Sequence, residues 1–361
     1  MMQCSIRSAE SRISRRMRQQ YCRSSCRNPP IRAISGRPVQ AALIVRRTDF
    51  HPRFPKAAVT RSGGKREEEA PLIPGSFVYH RPGTVQEAVA LLADHGDDAR
   101  PLAGGHSLIP LMKLRMAAPE HLVDLRGIGA LKTIAEDGDS IVIGAGVTQA
   151  QAIASDLLAR RLPIIRATSL LIADPQIRYL GTLGGNVANG DPGNDMPAVM
   201  QCLGASYVLQ GADGTREIAA ADFYHGPYDT GLETGELLTA IRIPAPPAGH
   251  GWAYEKLKRK VGDYATAAAA VILTMAGGKV ATCAIALTNL APTPLLAADA
   301  AALVVGTTLD PATVKAAADA AKAITDPAGD GRGPPAYRRE MAGVMVARAL
   351  ARAADRASKG A

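Results

Sequence analysis

The 361 residues carry 42 Lys and Arg against 33 Asp and Glu, a net charge of +9 that would ordinarily point to a polyanionic partner. The excess is confined to residues 1–71, which hold 16 Lys and Arg against 5 Asp and Glu; the rest of the chain is slightly acidic, which excludes nucleic acid as a partner. No apolar run approaches the roughly 20 residues that span a bilayer, and Cys202 and Cys283, the two cysteines beyond residue 71, lack the spacing of a metal or cluster site.

Residues 1–71 are rich in Arg and Ser, lack sustained apolar periodicity and are expected not to fold. Their composition resembles a transit peptide. Lys65-Arg66-Glu67-Glu68-Glu69 supports another reading, because a purine-rich ribosome-binding site gives such a run when translated; the protein would then start at Leu72-Ile73-Pro74-Gly75-Ser76-Phe77. Residues 72–361 exceed one ordinary domain, so two are expected.

Phe77–His80 alternates as a short strand, and Thr84-Val85-Gln86-Glu87 is a capping box that opens a helix to about His95. Arg100-Pro101-Leu102 is a strand that delivers Ala103-Gly104-Gly105-His106-Ser107. Glycine has no Cβ, so backbone N–H groups there can approach an anion closely, and Ser107 can cap a short helix from Leu108 whose N-terminus also favours phosphate. His121–Leu125 and Ser140–Gly144 are further strands. The second ends in Gly144-Ala145-Gly146, which fails as a dinucleotide fingerprint because Gln149 stands at its third position; it leads instead into a helix from Thr148 to Ser155.

Arg166–Ala173 fits helix or strand, and Asp174-Pro175 ends it. Thr182-Leu183-Gly184-Gly185-Asn186 then supplies a second glycine pair, followed by Asp191-Pro192-Gly193-Asn194-Asp195. Alone, either pair is an ordinary tight turn. Together they can hold one diphosphate, with Asn186 donating to phosphate. Asp195, an acceptor only, suits ribose hydroxyls, or N-caps a helix from Met196, or both. A hairpin (Ser206–Leu209, Arg216–Ile218) and a strand ending at Pro244 precede Pro244-Ala245-Pro246-Pro247, a boundary between residues 72–248 and 249–361. Beyond it, Trp252–Leu257, Ala267–Met275 and Val280–Leu287 give a three-stranded antiparallel sheet, the second segment Ala-rich enough to be helical in part. Helices run from Asp310-Pro311 to about Ile324 and from Tyr337 to about Arg356. The fold class is α+β.

With these segments in view, the chain from residue 72 onward resembles the FAD-binding medium subunits of molybdenum hydroxylases, and among them those of aerobic carbon monoxide dehydrogenases. The resemblance rests on A-G-G-H-S-L-I-P-L-M-K-L-R-M-A from Ala103, I-A-D-P-Q-I-R-Y-L-G-T-L-G-G-N from Ile172, D-P-G-N-D-M-P-A from Asp191 and E-K-L-K-R-K-V-G-D-Y-A-T-A from Glu255. It implies a two-part FAD-binding domain of the vanillyl-alcohol oxidase-like (PCMH) type, followed by a smaller C-terminal domain with a helix bundle.

It also implies that Ala103, Gly104, Gly105, His106 and Ser107, with Thr182, Leu183, Gly184, Gly185 and Asn186, bind the FAD diphosphate. Asp195 would lie by the adenosine half, Tyr264 would cover one flavin face, and Lys256 and Asp263 would lie toward the flavin edge. The implied partners are a small iron–sulfur subunit and a large molybdenum–copper subunit, in a dimer of heterotrimers. Such an assembly would be cytoplasmic and would meet the membrane only through its electron acceptor. No Ser/His/Asp or Cys/His constellation appears, so no catalytic residue and no metal ligand is assigned; His106 is expected to orient its loop by a backbone hydrogen bond. The rival readings are the medium subunit of a hydroxylase of heterocycles or aldehydes, a self-contained flavin oxidoreductase, and a scaffold that has lost its flavin.

Overall fold

The computed structural model describes residues 72–359. The expectations for residues 1–71 therefore lie outside the described residues. Three sheets, a two-stranded ribbon and eleven α-helices build the described part, consistent with the α+β expectation.

The first sheet is parallel. It holds β1 (Val78–His80), β2 (Ala99–Leu102) and β3 (His121–Asp124) in the order β1-β3-β2. Helix α1 (Val85–His95) crosses from β1 to β2, with Thr84 Oγ1 accepting the Glu87 N–H as the capping box predicts. Ala88, Val89 and Leu92 of α1 bury against Val123 of β3. Helix α2 (Leu108–Lys113) comes after the first glycine pair; Ser107 occupies its N-cap position but makes no side-chain cap bond.

The second sheet is antiparallel, in the order β4-β5-β10-β6-β7, from β4 (Ile134–Asp137), β5 (Ser140–Gly144), β6 (Ser206–Gly211), β7 (Gly214–Ala219) and β10 (Leu237–Pro244). The ribbon β8 (Tyr224–Gly226) and β9 (Asp229–Thr230) lies between β7 and β10 in the chain. Between β5 and β6 run six short helices: α3 (Gln149–Ala154), α4 (Asp156–Arg161), α5 (Pro163–Leu171), α6 (Pro175–Leu180), α7 (Leu183–Ala188) and α8 (Asp195–Cys202). The ambiguous Arg166–Ala173 stretch is thus helical in its greater part. Asp174, expected to end an element, instead starts α6, its Oδ1 accepting the Ile177 N–H at 3.0 Å with Pro175 in the first turn.

The third sheet contains β11 (Gly251–Leu257), β12 (Ala267–Ala276) and β13 (Lys279–Thr288), antiparallel as expected, with a fourth short strand β14 (Leu295–Leu296) paired to β13. Ala267–Met275 is strand throughout, and its alanines have a reason. Ala268 and Ala270 face the core shared with α8, whereas Ala267, Ala269 and Val271 face α9 (Ala298–Val304), α10 (Pro311–Ala323) and α11 (Pro335–Ser358). A strand covered on both faces by helices leaves room for small side chains only. Among the described residues no helix is long and apolar enough to cross a membrane.

Candidate functional site

The first glycine pair stands where β2 ends. In the segment Gly104–Ser107 no backbone N–H donates to a protein acceptor among the described residues, while the Gly105 and Ser107 carbonyls accept from Ile109 and Leu111. Four successive donors are left open on a half-exposed loop, the arrangement that receives an anion. Gly105 has φ +76°, a conformation in which glycine is unstrained, and a Cβ on Gly104 would collide with the Leu180 carbonyl oxygen and come within 2.7 Å of the Gly181 Cα. Gly104 therefore docks the loop on the end of α6. His106 is exposed and its ring edge lies over Gly181; it makes no hydrogen bond to backbone among the described residues, so the expected tether is not formed.

That docking brings the two glycine pairs together. Thr182 caps α7, its Oγ1 accepting the Gly185 N–H at 2.9 Å, so the second pair is the first turn of a helix. Its own donors are committed internally: Leu183 N–H to Val147 O at 2.8 Å, Gly184 N–H to Ala145 O at 3.0 Å and Asn186 N–H to Thr182 O at 3.1 Å. Gly184 serves close approach, since a Cβ there would fall 2.6 Å from the Ala145 Cα, and Gly185 faces the Ala103 methyl. Asn186 Oδ1 accepts the Met196 N–H at 3.2 Å, which aims its two amide hydrogens elsewhere. The Asn194 side chain donates to Asn186 O at 2.7 Å and ties the Asp191–Asp195 turn to α7.

Asp195 is at the first helical position of α8, with Asn194 as the N-cap residue, so the capping expectation shifts by one. Its carboxylate is buried: Lys256 Nζ lies 2.7 Å from Oδ2 and the Tyr254 hydroxyl 2.5 Å from Oδ1. Tyr254 and Lys256 are alternate residues of β11 and so share a face of the strand; that period-two pairing is the signal sequence reasoning missed. Lys256 is thereby committed to Asp195, and Asp263 to Arg259 at 2.8 Å. Lys258 adds to the positive surroundings: burial, then repulsion by Lys256, holds its ammonium below the usual lysine range, with Asp195 opposing and Arg178 adding to the repulsion.

Tyr264 lies over the same turn. A Cβ on Gly193 would sit 2.8 Å from its Cδ1, and Arg332 approaches its ring with the guanidinium 5.5 Å from the centroid. Burial, then the charge of Asp191, raises its phenol well above the ordinary value, and the same causes push Tyr228 up to about 12. Both rings are neutral hydroxyls near pH 7. The region thus places an open donor loop, the Asn186 amide, several cations and the Tyr264 ring around the two glycine pairs and the Asp191–Asp195 turn.

Comparison with known proteins adds to this geometry. The family model for the FAD binding domain in molybdopterin dehydrogenase matches residues 75–246, and the CO dehydrogenase flavoprotein C-terminal domain matches residues 252–353. The chain is 66% identical to the carbon monoxide dehydrogenase medium chain of Afipia carboxidovorans, over 79% of this chain and 99% of that one. It is 50% identical to the medium chain of the Hydrogenophaga pseudoflava enzyme, over 77% and 97%. A crystal structure of the Cu,Mo-CO dehydrogenase in its cyanide-inactivated form superposes with a TM-score of 0.78 at 66% identity, over 79% of this chain and 99% of that one.

Proposed function

The chain belongs to the family of FAD-binding medium chains of molybdenum hydroxylases, and from that premise we propose how its residues serve the function: it is the FAD-carrying, electron-transferring subunit of an aerobic carbon monoxide dehydrogenase. A bound flavin supplies the ability to accept electrons one at a time and release them as a pair. The rest of the proposal concerns what this chain does to hold it.

The Gly104, Gly105, His106 and Ser107 N–H groups donate to the diphosphate, between Ala103 and the Thr182–Asn186 turn, and the free amide hydrogens of Asn186 add a donor. Leu183, Gly184 and Gly185 shape the wall, through close packing on Ala145 and Ala103. Asp195 orders the adenosine side through its bonds to Lys256 and Tyr254, and Tyr264, a neutral ring on a glycine turn, covers the flavin. Residues 72–248 form the flavin domain and 249–361 the second domain. The partners are a small iron–sulfur and a large molybdenum–copper subunit, arranged as a dimer of heterotrimers in the cytoplasm, with electrons passing on to a quinone or another acceptor at the membrane.

The observation that carries this reading is the open donor run of Gly104–Ser107, docked on Leu180–Gly181. Gly104→Ala inserts a methyl against backbone and tilts the loop away. Losing aligned donors to a charged phosphate is expected to lower FAD retained per chain by at least roughly tenfold. Flavin absorbance of the purified complex measures it, with far-UV circular dichroism confirming the fold. Full FAD content in a folded Gly104→Ala complex overturns the site, and dye reduction by the wild-type complex with a heterocycle or aldehyde as electron donor, but not with CO, favours the rival reading.

A further inference from the structure

Three histidines far apart in sequence meet on the first sheet: His80 ends β1, His95 ends α1 and His121 begins β3. Register explains two of them. Val78 pairs with His121 and His80 with Val123, so His80 and His121 project from the same face of the sheet, the face on which α1 packs. The C-terminus of α1 then brings His95 over the other two. The His95 and His121 rings stack with centroids 3.6 Å apart and planes 10° apart, and His80 lies 5.2 Å from His121 and 5.4 Å from His95. One ring nitrogen from each residue lies within 4.8 Å of the others, and all three side chains are half-buried.

We propose that His80, His95 and His121 form a binding site for a transition-metal cation of the zinc type, with a fourth coordination position open to water. Imidazole nitrogens at bond lengths of about 2.0–2.1 Å around a tetrahedral ion stand roughly 3.3 Å apart. His80 Nε2 and His121 Nδ1 are already 2.9 Å apart, and a rotation that lifts the His95 ring off its stack on His121 turns a His95 nitrogen to the same centre. In the metal-free protein that 2.9 Å contact is an N–H···N hydrogen bond, in which either ring can be the donor. Binding moves the proton to the other nitrogen of the donor ring, which leaves all three imidazoles neutral.

Two further features suit a cation. The site lies at the C-terminus of an 11-residue helix, where the backbone carbonyls favour positive charge. The His95 ring makes no hydrogen bond among the described residues, so its nitrogens are free to ligate. The ion would staple the three-residue edge strand β1, whose Val78 and Tyr79 are half exposed, to α1 and β3. The site lies at the N-terminal end of β3, whereas Gly104 lies beyond the C-terminal end of β2, so metal and flavin sites occupy opposite ends of one sheet.

The test uses the full chain and Zn2+, with the His95→Gln/His121→Gln variant as reference, so that any zinc taken by cysteines elsewhere cancels. Isothermal titration should find one equivalent more in the wild type than in the variant. A hundredfold excess over Kd should raise the wild-type Tm by roughly 5–10 °C and leave the variant unmoved. Uptake should weaken as pH falls, because protons compete with the ion for the ring nitrogens. Amides of residues 78–80 should exchange more slowly with zinc present. Equal zinc uptake by wild type and a folded variant with unchanged FAD content overturns the proposal; so does a wild-type equivalent that binds without slowing β1 exchange.

Discussion

At the scale of single residues, Asp195 and Lys256 decide how firmly the second glycine region is set. Their side chains are 5% and 1% exposed, and the carboxylate also takes the Tyr254 hydroxyl. Two charges withdrawn from water are tolerated only as a pair, so removing one partner strands the other. Lys256→Met is expected to cost about 3–5 kcal/mol, measured by urea denaturation of the apo chain. Adding Asp195→Asn should restore a large part of that loss, since the unpaired charge is gone. Additive losses in the double variant would mean that the two side chains act separately. The sequence offers a carboxylate in a glycine-rich turn, and ribose binding or capping are both fair readings of it. What it hides is that Lys256 and Tyr254, some sixty residues later, converge on that carboxylate: their period-two spacing shows that they share a strand face, but not which helix that face packs against.

At the scale of elements, the first sheet carries a pH dependence. Asp124, at the end of β3, is buried, which raises its pKa. The hydrogen bonds from the Arg126 side chain and from the Tyr79 hydroxyl of β1 outweigh that and hold it down to about 2. Because the folded pKa lies below the unfolded one, the contribution is complete above about pH 4 and is lost as pH falls toward 2. Arg126 is 55% exposed, so solvent screening limits the effect to at most about 2 kcal/mol. Wild type should lose roughly two-thirds of this amount relative to Asp124→Asn between pH 5 and pH 2.5, and the rest as pH falls through about 2; parallel stability curves for the two would refute it.

The elements of this region are legible where chemistry is local: the Thr84 capping box and the β-α-β order arise from residues within a turn of each other. Others are not. Asp174-Pro175 is equally a stop and a start, and the run Ala267-Ala268-Ala269-Ala270 has high helix propensity that burial on both faces overrides. The second glycine pair reads as a phosphate loop in the sequence, whereas its backbone donors close a helical turn and a strand-end contact. Glycine announces close approach without saying whether ligand or protein comes close.

At the scale of the whole molecule, the proline-rich run at 244–247 marks a seam between two domains expected to share an interface, and one hydrophobic core crosses that seam. The core that contains Ile141, Ile143, Val199 and Tyr207 also contains Tyr254, Ala268, Ala270 and Ala286 from beyond the seam. The third sheet thus completes the first part's interior with one face and covers the terminal helices with the other, where Val271, Leu273, Val346 and Leu350 meet. A sheet that belongs to two cores cannot be removed from one without exposing it. Residues 249–361 expressed alone should therefore bare the Tyr254, Ala268, Ala270 and Ala286 face, and should aggregate or bind a hydrophobic dye. The full chain should unfold in one calorimetric transition. A monomeric, cooperatively folding 249–361 fragment, with two resolved transitions in the full chain, would show that the seam is a domain boundary in the energetic sense. With the single transition, Asp195 and Lys256, which face each other across the seam, become part of what joins the halves, and flavin loading and folding of the second half are expected to rise and fall together in the Lys256→Met variant.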